Sequence, residues 1–289
     1  MAPNILLVGN CQVRPIESLL KHLNNVEETH KIIVHLAKDS ERETHNDLFK
    51  SADIIISQQI QDRYPCQAVR SSILKANYPD KIIFIPNLFY EGYTPDLRYL
   101  RLQGQGTLDG PLGDYHSSIL LKCWKEGRTI EDTVQTYRSS KTWKERYHSA
   151  ANDSLVEYKR RESTLDIKMA NFIENNIANR QLFFTFNHPS KLLITELVKN
   201  IAKQLALKPT GQTSTDCAEP LDRFQVPIHP YTQKQLELTF EGPKRFLGVG
   251  ISKDSGNERK TYRLKRLVTS FFRHYERNRQ TMLERGVWS

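Results

Sequence analysis

Three short stretches bring together side chains able to do nucleophilic and acid–base chemistry. Gly9-Asn10-Cys11-Gln12 sets a thiol behind a glycine and between two amides, Ser57-Gln58-Gln59 supplies a hydroxyl and two more amides, and Asn187-His188-Pro189-Ser190 supplies an imidazole. A fourth set runs from Asn87 through Tyr90 and Glu91 to Tyr93. Cys11 carries the most weight. Gly9 permits a tight turn and close backbone approach, Asn10 tolerates a left-handed conformation, and a following helix favours the thiolate and offers N–H groups to a developing oxyanion. A solitary cysteine is ordinarily a small buried hydrophobe; the flanking Gly, Asn and Gln favour the catalytic reading. His188 is the better candidate base, because it follows a strand end that Pro189 prevents from continuing. The same four residues also read as a capping turn with Ser190 as N-cap. His116, in Gly113-Asp114-Tyr115-His116, is the second candidate, with Asp114 near enough to orient a neighbour; a structural histidine at a helix start is the alternative.

Several other chemistries lack their residues. No GxxxxGK[ST] occurs, no GxGxxG joins the first strand and helix, and acidic residues and histidines do not cluster as metal ligands do. The four cysteines, 11, 66, 123 and 217, show no CxxC pair and no zinc spacing, which points to a reducing cytoplasm.

The elements that must position these residues follow from periodicity. Runs at 4–8, 31–36, 53–57 and 81–86 are nearly continuous in Ile, Val, Leu and Phe, as strands covered on both faces are. Helical patterns separate them, beginning with Val13, Ile16, Leu19, Leu20 and Leu23. The expected fold class is α/β, a parallel sheet with flanking helices in a Rossmann-like, three-layer core. In such sheets, sites form at the carboxyl ends of strands, where the motifs above lie. Residues 87–113 read as a long functional loop. Beyond it come a helix at 115–126, a helical lobe at 129–180, a fifth strand at 181–186 and a helix at 191–207. We therefore expect an α/β domain at 1–207 with a helical insertion at 114–180. An extension at 208–289 would pack a terminal helix, 258–284, on the core.

Apolar runs reach only five or six residues, far below the roughly 20 needed to span a bilayer. The first residues carry no basic segment and read as a strand rather than a signal peptide. Net charge is +9, and residues 244–289 hold twelve Lys or Arg against four Asp or Glu. The excess is therefore local. Leu264, Leu267, Val268, Phe271, Phe272, Tyr275, Met282 and Leu283 recur at helical spacing, so the basic residues describe the solvated face of a packed helix. A smaller expectation is contact of that face with coenzyme phosphates, an anionic membrane or a biosynthetic complex. Nucleic acid is not expected, since no nucleic-acid motif accompanies the charge.

Taken in order, Gly9-Asn10-Cys11-Gln12, Asn87-Leu88-Phe89-Tyr90-Glu91-Gly92-Tyr93, Asp114-Tyr115-His116-Ser117 and Phe186-Asn187-His188-Pro189 resemble the WcbI family of polysaccharide-biosynthesis enzymes over about the first 200 residues. The resemblance implies a cradle-like fold with a deep pocket for coenzyme A, and acetyl transfer to sugars of bacterial capsular polysaccharide. It places Cys11 in the family's strand-one motif and His116 and His188 in its two histidine motifs. The first motif is also similar to the nucleophile block of SGNH-type hydrolases, with Cys11 where those have Ser. The hydrolase Asp is missing, since Thr185 and Phe186 stand in its place. The expected activity is then an acetyl-CoA-dependent O-acetyltransferase, without a metal, acting on a sugar or polysaccharide acceptor. His188 or His116 would be the base, and Asn10, Gln12 and Asn87 the oxyanion donors. Ser57, Gln58, Tyr90 and Asn187 would lie near substrate, and Gly9, Arg14 and Lys191 near the coenzyme. A carbohydrate esterase of SGNH type and a non-catalytic anion-binding module are the alternatives.

Overall fold

A computed structural model describes residues 2–104, 106–214, 217–250 and 258–286. The chain forms two compact units, one of Met1–Phe89, Leu155–Asn176 and Asn187–Leu221, the other of Tyr90–Ser154, Ile177–Phe186 and Asp222–Ser289. The division does not fall at residue 207, because the chain leaves the first unit after Phe89 and returns to it twice.

The first unit holds the parallel sheet. Its strands and helices alternate: β1 (Asn4–Gly9), α1 (Val13–Leu23), β2 (Glu28–Ile33), α2 (Arg42–Ser51), β3 (Ile54–Gln58), α3 (Ser71–Asn77) and β4 (Ile82–Ile85). The strand order is β2-β1-β3-β4 and every pairing is parallel. Alternation along β1 explains the continuous apolar run. Leu6 and Val8 join Ile55, Phe49, Val69 and Leu74 in one cluster, while Ile5 and Leu7, pointing the other way, are equally buried. Helix α1 packs beside the helix Lys191–Gln204. The β4 edge is closed without a fifth strand: Phe84 N donates to Asp166 Oδ2 (2.7 Å) and Asp166 N to Phe84 O (3.1 Å). β2 ends earlier than expected because residues Val34–Leu36 coil into a 3-10 turn.

Strand order decides where the site lies. From β1 the chain steps to β2 on one side, then crosses to β3 on the other, so loops diverge at the carboxyl end of β1. That divergence is a topological switch point, the place where sites form in such sheets, and Gly9 stands at it.

The second unit is described by itself. Leu97–Tyr99 pairs antiparallel with Pro111–Ser117, and Phe246–Val249 with Arg259–Tyr262. Three sequence expectations are corrected. The helix expected at 115–126 begins at Ser118, because residues through Ser117 are held as a strand and Ser117 Oγ then caps the helix through Leu120 N (3.2 Å). The expected fifth strand shrinks to Phe183–Thr185 and does not join the parallel sheet. The terminal helix does not begin at 258: Arg259–Tyr262 is a strand, followed by helices Leu264–Arg277 and Arg279–Glu284.

Leu267, Val268, Phe271 and Tyr275 are almost wholly buried, whereas Arg263, Arg266, Arg273 and Arg277 are exposed. Leu283, expected inside, lies on the surface. Among the described residues no helix is long and apolar enough to cross a membrane. Because Phe271 fills core and Arg273 does not, Phe271→Ala should lower unfolding free energy by about 3–5 kcal/mol. Arg273→Ala should stay within roughly 0.5 kcal/mol; urea unfolding of both variants checks the contrast.

Candidate active site

The turn between β1 and α1 is built around side-chain amides. Gly9 has no Cβ because a Cβ there would stand 2.6 Å from Gln58 Oε1 and 2.7 Å from Val13 Cγ1. Through that gap Gln58 reaches the turn: its Oε1 accepts from Asn10 N (2.8 Å) and its Nε2 donates to Gln12 Oε1 (3.0 Å). Gln12 is completely buried. Its Nε2 donates to the carbonyl oxygens of Leu88 (2.7 Å) and Asn187 (2.9 Å), and its Oε1 also accepts from Leu88 N (3.1 Å). One carboxamide thus joins the ends of β1 and β3, the segment after β4, and the residue before His188.

Cys11 and His188 are each one residue away from the two partners of the Gln12–Asn187 hydrogen bond. The first unit therefore brings the thiol motif, Gln58, Asn87 and the Asn187-His188 motif together. Both Cys11 and His188 are half-buried. Burial holds the His188 imidazole down at a pKa of about 4, so it is neutral at physiological pH.

The donors are distributed differently from the sequence expectation. Backbone N–H groups at the start of α1 are satisfied within the turn itself: Gln12 N donates to Asn10 Oδ1 (2.9 Å), Val13 N to Asn10 O (3.1 Å) and Arg14 N to Cys11 O (3.4 Å). Both amide hydrogens of Gln12 point inward as well. Ser57 is fully buried, with Oγ donating to Gln58 O (2.8 Å). That leaves the Asn10 and Asn87 amides facing outward, linked to each other by Asn10 Nδ2 donating to Asn87 Oδ1 (3.0 Å).

His116 and Tyr90 belong to the second unit. His116 sits opposite Arg98 in the strand pair, with zero exposure. Its Nδ1 meets Tyr275 Oη (3.0 Å) and its Nε2 meets Leu108 O (2.7 Å), while Phe271 and Tyr275 stack around the ring. Both nitrogens are engaged inside an aromatic core, and burial pushes its pKa down to about 4 against the opposing pull of the Leu108 carbonyl. Tyr90 is equally buried, packed on Tyr93 and Phe183, and burial raises its phenol above the usual range.

Of the expected coenzyme contacts, Arg14 is exposed on the first turn of α1. It lies close enough to His35, just beyond β2, for its charge to reinforce the lowering that burial imposes on that imidazole. Lys191 starts the helix after His188, and its Nζ donates to Cys217 O (2.6 Å). Among the described residues no group of three His, Cys, Asp or Glu side chains is arranged to hold a metal ion.

Sequence reading missed a cavity of about 880 Å³ in the same unit, at the carboxyl ends of β3 and β4, lined by Gln59, Asn87, Phe89, Arg160 and Arg161 among others. Gln59 and the Asn87-Leu88-Phe89 motif were its linear signals, but residues 157–165, which form its opposite wall, come from a distant part of the chain.

A family model described as the polysaccharide biosynthesis enzyme WcbI matches residues 4–210. The chain belongs to the WcbI family. All four motifs at Gly9, Asn87, Asp114 and Phe186 fall inside the matched span. A search of curated proteins returned no match. A solved structure of WcbI, described as a novel polysaccharide biosynthesis enzyme, superimposes with a TM-score of 0.71 at 17% identity and covers the whole of both chains. That structure is of the native protein without a disulfide bond between CoA and one of its cysteines. At this identity the likeness establishes the α/β fold of the WcbI family member.

Two outcomes follow from this geometry. Gln12→Leu keeps the volume and removes every hydrogen bond, leaving the Gln58 amide, the Leu88 N–H and two carbonyls unsatisfied. At about 1–3 kcal/mol for each buried orphan, the variant should lose more than roughly 3 kcal/mol in urea unfolding at pH 7. The second outcome concerns pH. His188 and His116 have folded pKa values of about 4, below the ordinary 6.5, so between those values the unfolded chain binds more protons. Their contribution to stability is complete above 6.5 and is lost as pH falls toward 4. Unfolding midpoints measured from pH 7 to 4.5 should decline, and the decline should be shallower in His188→Gln; an equal decline in that variant would show that His188 is not the group responsible.

Proposed function

We propose that this WcbI family member is an O-acetyltransferase that moves the acetyl group of acetyl-CoA to a sugar hydroxyl in the biosynthesis of a bacterial capsular polysaccharide. The observation that carries the reading is the Gln12–Asn187 hydrogen bond, which ties the turn carrying Cys11 to the residue before the neutral His188 at the switch point of the sheet. Two further points support it. The family is one of polysaccharide biosynthesis enzymes, and the WcbI structure of the same fold is described as the native protein without a disulfide bond between CoA and one of its cysteines, which names CoA beside a cysteine in that protein.

Acetyl-CoA supplies an activated acyl carbonyl and a sulfur leaving group. This chain supplies the rest. An alcohol is a poor nucleophile at neutral pH, so the His188 imidazole takes the hydroxyl proton as the oxygen attacks and returns it to the departing sulfur, giving the acetyl ester and CoA thiol. Burial keeps the resting imidazole unprotonated, and the negative charge that develops on the oxyanion offsets the cost of forming the imidazolium during transfer. The outward amides of Asn10 and Asn87 are the donors for the tetrahedral oxyanion, while Gln12 and Gln58 act by positioning them. Arg14 and His35 at the carboxyl ends of β1 and β2 suit the coenzyme's phosphates.

Cys11 fits two routes, as a wall of the thioester site in direct transfer or as a carrier of the acetyl group in two steps. CoA and acetyl-CoA should raise the melting temperature and adenosine should do so far less. Arg14→Ala should weaken that stabilisation, and His188→Gln should lower kcat by roughly a hundredfold or more with CoA stabilisation intact. Cys11→Ala with near-normal turnover selects the direct route. Hydrolysis of a chromogenic acetyl ester without any response to CoA would overturn the transferase reading in favour of an esterase.

A further inference from the structure

The 880 Å³ cavity at the carboxyl ends of β3 and β4 is large enough for a small organic ligand, and its composition says which kind. We propose that it is the acceptor subsite and takes a neutral, hydroxyl-rich sugar, with the hydroxyl to be modified presented at Asn87; the sugar's role as acetyl acceptor rests on the transferase reading above. Its cationic side chains, Lys75, Arg160 and Arg161, are matched in number by Asp62, Glu157 and Glu162. Two of the cations are already committed: Arg160 Nε and Nη2 bond both oxygens of Glu157 (2.6 and 2.8 Å), and Arg161 Nε bonds Glu157 Oε1 (2.7 Å). Such walls offer little net attraction to a coenzyme bearing three phosphate groups.

They do suit a sugar. Gln59, Gln61 and Asn87 are exposed amides along the rim, and an amide both donates and accepts, as a hydroxyl does. Phe84 and Phe89 supply aromatic surface for the apolar C–H face of a pyranose ring. Position relates the cavity to the chemistry. Asn87 lines it and accepts from Asn10 Nδ2, and Asn10 precedes Cys11. In the order β2-β1-β3-β4, the cavity lies on the β3–β4 side of the Cys11 turn, and Arg14 and His35 lie toward β2. Acyl donor and acceptor would thus approach the turn from opposite sides.

Saturation-transfer NMR on the full chain with the methyl glycosides of glucose, galactose and mannose at millimolar concentration tests the assignment. At least one glycoside should give a signal. Gln61→Ala and Phe89→Leu should each weaken its binding by roughly tenfold, as loss of one hydrogen-bonding or aromatic contact does. Gln61 is exposed and Phe89→Leu keeps an apolar side chain, and thermal unfolding confirms that both variants fold. CoA stabilisation in these variants should equal that of the unaltered protein. The proposal is overturned if no glycoside binds the unaltered protein, if binding survives both substitutions, or if CoA stabilisation falls instead, which would make the cavity the coenzyme's. Glycoside binding that behaves as expected, in a protein that CoA fails to stabilise, supports the sugar subsite and defeats the transferase reading alone.

Discussion

The carboxamide of Gln12 is the constraint on which the site depends. Four polar groups from distant parts of the chain, Gln58 Nε2, Leu88 N, Leu88 O and Asn187 O, converge on it in a place with no solvent exposure. An amide is the one neutral side-chain group with two N–H donors and an oxygen able to accept twice. A carboxylate could not donate to the two carbonyls, and a hydrocarbon would leave all four groups unsatisfied in low dielectric. Because every valence of the hub is used, the turn carrying Cys11 and the segment carrying His188 are held before any ligand arrives. That prior ordering is what electrostatic catalysis requires, since donors already in place need no reorganisation during reaction.

The fold makes such a hub necessary. Parallel strands end with their last polar groups at one edge of the sheet, and at a switch point the following loops diverge and cannot satisfy one another. Here β1 and β3 are neighbours whose continuations part, α1 with the helix Lys191–Gln204 and the loop after Gln58 toward α3. Gln58 fills the divergence only because Gly9 leaves room for it. The glycine that suggests a turn or coenzyme contact in sequence is thus explained by a side chain 49 positions further on, with no positive φ involved.

The sheet was legible because β1, β3 and β4 are built on apolar runs and α1 has clean periodicity, whereas β2 opens on Glu28-Thr29-His30-Lys31 and was read three residues late, since the apolar residues that follow Ile33 coil into a 3-10 turn. The motifs at Gly9 and Asn187 were legible for a related reason: polar residues placed directly at apolar strand ends have little structural cause to be there. What could not be read was pairing at a distance. Gln12 looked like an oxyanion donor, yet its hydrogens go to Leu88 and Asn187. His116 carried a family motif, but its short apolar context could be helix or strand, and only the partner strand at Arg98 and the rings of Phe271 and Tyr275 reveal a core position. The cavity was hidden because residues 157–165 have no linear relation to the strand ends they face.

The two sides of the Cys11 turn also differ in charge. Toward β2 the exposed Arg14 stands close enough to His35 for its charge to act on that imidazole, whereas toward β4 the three cations of the cavity wall are equalled in number by three carboxylates and Glu157 holds two of the cations. In the proposed reaction this asymmetry has a chemical use. An imidazole held neutral by burial, with Thr185 and Phe186 where a hydrolase would place an orienting carboxylate, gains nothing from a resting ion pair with the thiol. It becomes positive only while the acceptor proton is in transit, when the oxyanion and then the departing sulfur carry the compensating negative charge. A neutral acceptor site keeps that transient charge from being screened by a permanent one, and the anionic coenzyme, anchored on the other side, leaves the hydroxyl as the only group that must lose a proton.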